Sequence, residues 1–458
     1  MIDPVSSQNP AARALALDIL AGAQRRGESV EDLLGAAFRR YPHLPRRERA
    51  LLLELVQGVK RWELRLDYLI SRLAAHPLKK MHPLALNILR LGAYQLLWLD
   101  RVPARAVLSE AGKMAKNRGL SKAQVGFINA LLRRLAGGDL PALPDAAADP
   151  ALALSVTHSH PEWLARRWLA RYGPEEAAAR LAANNLIPPL TIRVNPLKTD
   201  AASLKERLAQ EGVEAAACRF SPEGLHLLAL SSPPLELPSF REGRWLFQDE
   251  GAQLVSHLLP VAPGARLMEI GAGRGGKTSH LAALMTNQGL ILAVDHHLGR
   301  LKELKLNLAR LGAATARPLM ADAASALPCK PEVMDAAAVD APCSSLGIIR
   351  RHPEIKGRLS EGDLAAFPPR QLAMLKAAAG ALKPGGQLLY ITCTPEPAEN
   401  EEVIGAFLAA HPEFRLATDP DRLPPAARAL VQPPGFFRTS PAEHDLDAFF
   451  AAVLAKEG

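Results

Sequence analysis

Apolar side chains recur at helical spacing from residue 10 to residue 137, one stretch after another. Leu15, Leu17, Ile19 and Leu20 make a first set, residues 51–56 a second, and Leu64, Leu66, Tyr68, Leu69 and Leu73 a third. Pro83 suits the first turn of a helix running to Leu99, and Pro103 can open another. Residues 139–150 are mostly Ala, Pro, Asp and Leu and read as a linker. Residues 151–240 are mixed: a helix over 161–172, an extended stretch over 190–194, a helix over 201–210, then short strands broken by prolines.

Past residue 262 the rhythm becomes strand, turn, helix. Short apolar runs at 265–270, 290–294, 314–320, 336–339 and 387–392 alternate with helical stretches such as 278–285 and 300–311. The alternation predicts a mainly parallel sheet flanked by helices, with its ligand crevice at the carboxyl ends of the strands. The expected architecture is multidomain. An all-α region spans 1–140, a small α+β region 151–240, and an α/β, Rossmann-like domain 241–458.

Composition narrows the class. The 458 residues are 48% hydrophobic and 22% charged, which excludes a disordered, collagen-like or disulfide-scaffold chain. No apolar run is long enough for a transmembrane helix, and residues 1–5 lack the order of a signal peptide. Four cysteines, Cys218, Cys329, Cys343 and Cys393, do not make a disulfide framework in so long a chain. The expectation is a soluble, cytoplasmic protein with no membrane partner. Net charge adds a partner. Residues 1–140 hold 23 Lys and Arg against 12 Asp and Glu, whereas the remainder holds 32 against 35. The basic clusters include Arg25-Arg26, Arg39-Arg40, Arg46-Arg47, Lys79-Lys80, and Lys113, Lys116, Arg118 and Lys122. A local basic surface suits a polyanion, although a solvated helical face has the same composition.

The first strand of the third region runs into Gly271-Ala272-Gly273-Arg274-Gly275-Gly276-Lys277-Thr278. Glycines let a backbone turn tightly and approach a ligand, and the next helix offers free amides. The segment fits two templates, a complete phosphate loop and the first turn of a nucleoside-binding doubly wound fold. Asp295 ends the second strand, 24 residues after Gly271, where a carboxylate can accept both ribose hydroxyls of an adenosine. Asp322 follows the third strand, where an adenine amino group could be held; either acid could instead cap the next helix. Asp340 and Cys343 follow the fourth strand, and Cys393 the fifth. Thiols on that rim can act as nucleophiles once ionised, whereas Cys218 and Cys329 read as small buried hydrophobes. The spacing of Cys and His does not suit zinc, so no metal is expected. Asp340 also keeps a phosphate-loop nucleotide hydrolase open as a rival.

Asp340-Ala341-Pro342-Cys343-Ser344 with Thr392-Cys393, after the Gly-Gly-Lys-Thr loop, resembles the RNA 5-methylcytosine methyltransferases of the RsmB/Nop2/Sun group. The likeness extends through 348–356, 382–386 and Glu399-Asn400-Glu401, and upstream through 191–196 and Gln248-Asp249-Glu250. Residues 55–59 and 127–133 resemble a NusB-like helical RNA-binding domain. The resemblance implies a ferredoxin-like middle region, a methyltransferase domain dependent on S-adenosylmethionine, and ribosomal (16S) RNA as partner of a monomer. It implies Cys393 as the nucleophile adding to carbon-6 of cytosine, with Asp340 on the base edge. Cys343 would assist elimination, and Lys277 would contribute electrostatically. Gly271, Ala272, Gly273, Arg274, Gly275, Gly276, Lys277, Asp295, Asp322 and Asp340 would hold the cofactor.

One segment departs from the pattern. The family's usual Cys-Ala-Ala-Pro-Gly-Gly-Lys is here 271–277, with Glu269 for the usual Asp. Arg274 in place of proline is expected to loosen the turn and to add charge near the methionine carboxylate. A catalytically weakened RNA-binding assembly factor is therefore a third reading.

Overall fold

The computed structural model describes residues 11–325 and 327–458 except 27 and 28, without the side chains of Arg25 and Arg26. The readings made of residues 1–5 and of that basic pair lie outside the described residues. The chain divides into two compact units, one of residues 1–185 with 352–358, the other of 186–351 with 359–458.

The first unit is helical: α1 (Ala12–Arg26), α2 (Val30–Arg40), α3 (Arg46–Leu73), α4 (Pro83–Trp98), α5 (Ala104–Asn117), α6 (Lys122–Ala136), α7 (Pro150–His158) and α8 (Glu162–Ala183). Pro83 opens α4 as expected, and Ser121 with Gln124 makes a capping box at α6. Leu52, Leu55 and Val56 of α3 pack with Ile88, Leu89 and Leu91 of α4 and with Ile128 and Leu132 of α6. Arg39, Arg40, Arg46, Arg47, Lys79, Lys80, Lys113, Lys116, Arg118 and Lys122 are all exposed. The helix expected over 161–172 runs on to Ala183 across a kink where Gly173 takes φ 78° ahead of Pro174. Helix α7, capped by Asp149, was not anticipated, because its nine residues carry little periodicity.

The second unit starts with a four-stranded antiparallel sheet of β1 (Leu190–Val194), β2 (Val213–Ala217), β3 (Gly224–Leu230) and β4 (Trp245–Phe247), in the order β2-β3-β1-β4. Helices α9 (Ala201–Gln210) and α10 (Pro238–Arg241) accompany it. Ile192, Val194, Leu204, Leu208, Leu225 and Trp245 fill its core.

The larger sheet holds β5 (Arg266–Ile270), β6 (Leu290–Asp295), β7 (Ala316–Met320), β8 (Met334–Asp340), β9 (Leu382–Thr392), β10 (Phe414–Leu416), β11 (Val431–Gln432), β12 (Phe436–Arg438) and β13 (Phe450–Lys456). Their order is β11-β12-β13-β9-β8-β5-β6-β7, with β10 beside β13. Strands β9, β8, β5, β6 and β7 are parallel. The sheet is nevertheless mixed, since β13 pairs antiparallel with β9, β10 and β12. Helices α11 (Glu250–His257), α12 (Gly276–Leu284), α13 (Leu298–Leu311), α14 (Phe367–Ala381), α15 (Glu401–Ala410) and α16 (Pro441–His444) complete the unit. The strand order reverses between β5 and β8, so the carboxyl ends of these two strands flank the topological switch point. Among the described residues no helix is long and apolar enough to cross a membrane.

Candidate active site

Strand β5 ends at Ile270 and the chain turns at once. Gly271 N and Ala272 N both donate to Val294 O, at 2.9 and 3.0 Å, which folds the turn over the end of β6. Gly271 has φ 82°, and a Cβ there would stand 2.2 Å from Asp340 O. Only glycine therefore lets the ends of β5 and β8 close up. Asp295 braces the same turn: Oδ2 accepts from Gly273 N at 3.0 Å and Oδ1 from His297 N at 2.8 Å. Each carboxylate oxygen keeps a lone pair for a further donor, as a ribose diol would need.

Arg274 does not act as its position suggested. Its side chain turns outward to α13, Nε lying 2.6 Å from Glu303 Oε2, and its carbonyl accepts from Asn307 Nδ2 at 3.0 Å. The side chain is thus held at α13, and its charge is paired with Glu303. Asp322 is partly exposed at 43%, accepts from Ala324 N at 3.1 Å and pairs with Arg370 at 3.2 Å, so it caps its own turn.

Lys277, Asp340, Cys343 and Cys393 come together. Lys277, in the first turn of α12, places Nζ 2.8 Å from Asp340 Oδ2 and 5.6 Å from the centre of the Phe449 ring. Burial works against its charge, but Asp340 outweighs burial and raises its pKa. Cys343 Sγ and Cys393 Sγ are 3.4 Å apart, and Cys393 Sγ is 3.6 Å from Ser345 Oγ. The hydrogen bond between the thiols raises Cys343, which burial pushes further. The same bond, with help from Ser345 and Lys277, overcomes burial and lowers Cys393. These hydrogen bonds favour Cys393 as the thiolate-forming member of the pair, against burial and the nearby charge of Asp340.

Several residues acquire roles that no motif suggested. Arg193 of β1 is buried and donates to Gly276 O at 2.7 Å, to Ser279 Oγ at 2.7 Å and to Gln248, fixing the start of α12 from beneath. Burial pushes its pKa down to about 9. Glu223, His257 and His280 present ligand atoms within 4.8 Å of one another. Burial and the charge of Arg193 keep His280 neutral, and that charge also disfavours a cation there. Arg350, Arg351, Asp249 and Asp447 form a buried ion cluster, with Arg351 bonded to Asp249 and Asp447 at 2.7 and 2.6 Å. Arg350, Arg351 and Asp249 lie in segments that carry the family likeness, but their partners are distant in sequence, so the pairing itself is not legible there.

Glu269, one strand residue before the turn, is buried, and desolvation with the charge of Asp340 lifts its pKa to about 7. The folded protein therefore binds an extra proton between the ordinary carboxyl range and pH 7. This group contributes most at acidic pH, and its contribution falls as pH rises through about 7. Glu269→Gln is expected to flatten that fall and to gain up to about 3 kcal/mol over the parent at pH 8. Thermal melts of both proteins at pH 5 and pH 8 check it, and parallel pH dependences would refute it.

Beyond the turn, a Cβ at Gly273 would meet nothing nearer than Gly271 O at 3.9 Å, so the loop opens on free space beside Asp295. The open glycine cradle and the two strand-end acids fit S-adenosylmethionine. A sheet of this topology with that cradle at its switch point defines an S-adenosylmethionine-dependent methyltransferase. Comparison with known proteins narrows the class. The family described as 16S rRNA methyltransferase RsmB/F matches residues 256–455, the NusB family 10–137, and the RsmF/B-like ferredoxin-like domain 160–231. A probable ribosomal RNA small subunit methyltransferase B of Synechocystis sp. is 35% identical, covering 97% of this chain and 99% of its own. The Bacillus subtilis protein of the same description is 34% identical with the same coverage. A methyltransferase homologue from Pyrococcus horikoshii superposes with a TM-score of 0.56 at 28% identity, covering 67% of this chain and 99% of that one. The chain belongs to the ribosomal RNA small subunit methyltransferase B family. Against this the phosphate-loop match of Gly271, Gly276, Lys277 and Thr278 is coincidental.

Proposed function

We propose that the protein methylates carbon-5 of a cytosine in 16S ribosomal RNA through a covalent bond between Cys393 and the base. The observation that carries this is the pair of thiols, 3.4 Å apart, beside the Lys277–Asp340 ion pair at the switch point. Carbon-5 of cytosine is a weak nucleophile. A thiolate adding at carbon-6 gives the ring enamine character and makes carbon-5 reactive.

S-adenosylmethionine, when bound, supplies an electrophilic methyl group. The turn 271–277 with Asp295 would hold it, and Asp322 lies close to the third strand end for its adenine. Cys393 forms the bond to carbon-6. Asp340, ion-paired to Lys277, hydrogen-bonds the base edge and favours the protonated ring, while Lys277 steadies charge on both sides of the step. Cys343 serves elimination: once it has released its own proton, its thiolate takes the carbon-5 proton, and the electrons of that C–H bond restore the ring double bond and expel Cys393 as a thiolate. A base must leave its stack to reach such a pocket, so a loop cytosine suits it. The exposed basic residues of the helical unit suit the phosphates of that RNA, and an rRNA substrate places the work in the cytoplasm.

The test is to incubate the protein with 16S rRNA and methyl-labelled S-adenosylmethionine, then digest the RNA to nucleosides. Label in 5-methylcytidine is the expected result. Label in another nucleoside, or none, overturns the reading.

A further inference from the structure

Glu399 lies fully buried in the turn before α15, between the two cysteine loops. Its Oε2 accepts from Ser344 N at 2.8 Å and from Gln371 Nε2 at 3.2 Å, and its Oε1 faces Thr394 Oγ1 at 3.4 Å. Its carbonyl accepts from the Tyr390 hydroxyl at 2.6 Å. Gln371, on α14, also donates to Pro342 O at 3.0 Å, and Ser344 Oγ stands 2.8 Å from Thr394 Oγ1. One carboxylate thus grips the residue after Cys343 and the residue after Cys393. Its side-chain contacts are all groups able to donate, which favours the ionised form, while burial and Glu396 outweigh them and raise its pKa.

We propose that Glu399 is a positioning residue for methyl transfer, setting the register of the two cysteine loops and placing its carboxylate beside the Cys343 loop. This rests on the cytosine reading given above. The loops leave different strands, β8 and β9; beyond the ladder a backbone bond from Gly347 N to Cys393 O at 2.9 Å joins them, and side-chain ties set the rest of their relative placement. A displacement of about 1 Å at reacting groups can cost about 100-fold in rate.

The charge matters as much as the tie. The thiols are faced by Lys277 of α12, by Asp340 at the end of β8, by Tyr390 of β9 and by Glu399 of the turn before α15. Two thiols 3.4 Å apart do not ionise together. The charge of Glu399 bears on Cys343 and disfavours its thiolate, whereas Cys393 feels Asp340 and Lys277 with opposite signs.

The experiment uses the full chain without RNA. Iodoacetamide alkylation under a phosphine reductant is followed over a pH series by mass spectrometry of the peptides bearing Cys343 and Cys393. The proteins are the parent, Glu399→Gln and Glu399→Asp, and each is then assayed for methylation. Glu399→Gln is expected to alkylate Cys343 about tenfold faster at any pH below its titration, and to lose about 100-fold in methylation. Glu399→Asp keeps the charge on a shorter arm, so the parental alkylation profile should persist with methylation down about tenfold. A Gln variant with the parental Cys343 profile overturns the proposal, as does an Asp variant that shifts as far as Gln. If the Gln variant does not fold, the Asp variant decides alone: a shifted profile or undiminished methylation overturns the proposal. A parent that methylates no cytosine removes the functional reading but leaves the thiol profiles to decide the role of Glu399.

Discussion

Cys393→Ala is expected to lower methylation by about 10⁴-fold or more and to leave no covalent enzyme–RNA species, because the bond to carbon-6 never forms. Cys343→Ala is expected to behave differently. Its Cys393 still has Lys277 and Ser345 nearby, so it can add to the base and carbon-5 can accept the methyl. Elimination then lacks its thiol, and an adduct accumulates that survives denaturing electrophoresis. Each variant is incubated with RNA and S-adenosylmethionine and examined for a slow-migrating, RNase-sensitive band. A band from Cys393→Ala alone would reverse the roles of the two thiols. The asymmetry argued from hydrogen bonds would then be wrong in sign.

The second large effect is on stability. Arg350 is fully buried, with Nε 2.6 Å from Asp447 Oδ1, Nη1 2.7 Å from Asp445 Oδ1 and Nη2 3.6 Å from Asp249 Oδ2. Arg350→Met leaves Asp249 and Asp447 sharing one guanidinium, that of Arg351, in a buried site. Removing one partner from such a cluster costs about 3–5 kcal/mol, because the remaining charge stays buried and under-compensated. For a unit of this size that is a fall in Tm of roughly 10 °C. Arg350→Met with Asp447→Asn should recover part of the loss by removing the surplus charge. A single variant melting within about 2 °C of the parent would contradict this, and so would a double variant less stable than the single. Burial and the charge of Asp447 already raise the pKa of Asp249, which shows how closely the cluster is balanced.

The parallel half of the large sheet could be read from the sequence because each buried strand is a short apolar run bounded by turn residues. The positions of Gly271, Asp295, Asp340 and Cys393 followed from it, since each ends a strand or directly follows one. The antiparallel half was harder. Strands β10, β11 and β12 are two or three residues long and lie among prolines, too short for any period to register. The braces of the site were illegible for another reason. Arg193 reaches Gly276, and Gln371 reaches Pro342 and Glu399, through contacts set by the fold and not by spacing. Arg274 is the clearest case. Its side chain pairs with Glu303 on α13, a contact that no spacing in the sequence announces.

The close approach at Gly271 also constrains how this chain can change over time. The residue usual at that place in the family is cysteine, so a single substitution there would look like a return to type. Here it would drive a side-chain carbon to within 2.2 Å of the Asp340 carbonyl, at a φ of 82° that side chains rarely adopt. Asp340 is the residue that holds Lys277, so the collision would fall on the ion pair beside the thiols. A side chain at 271 is thus sterically barred until the end of β8 moves, and a loop grafted with one would need the end of β8 grafted with it.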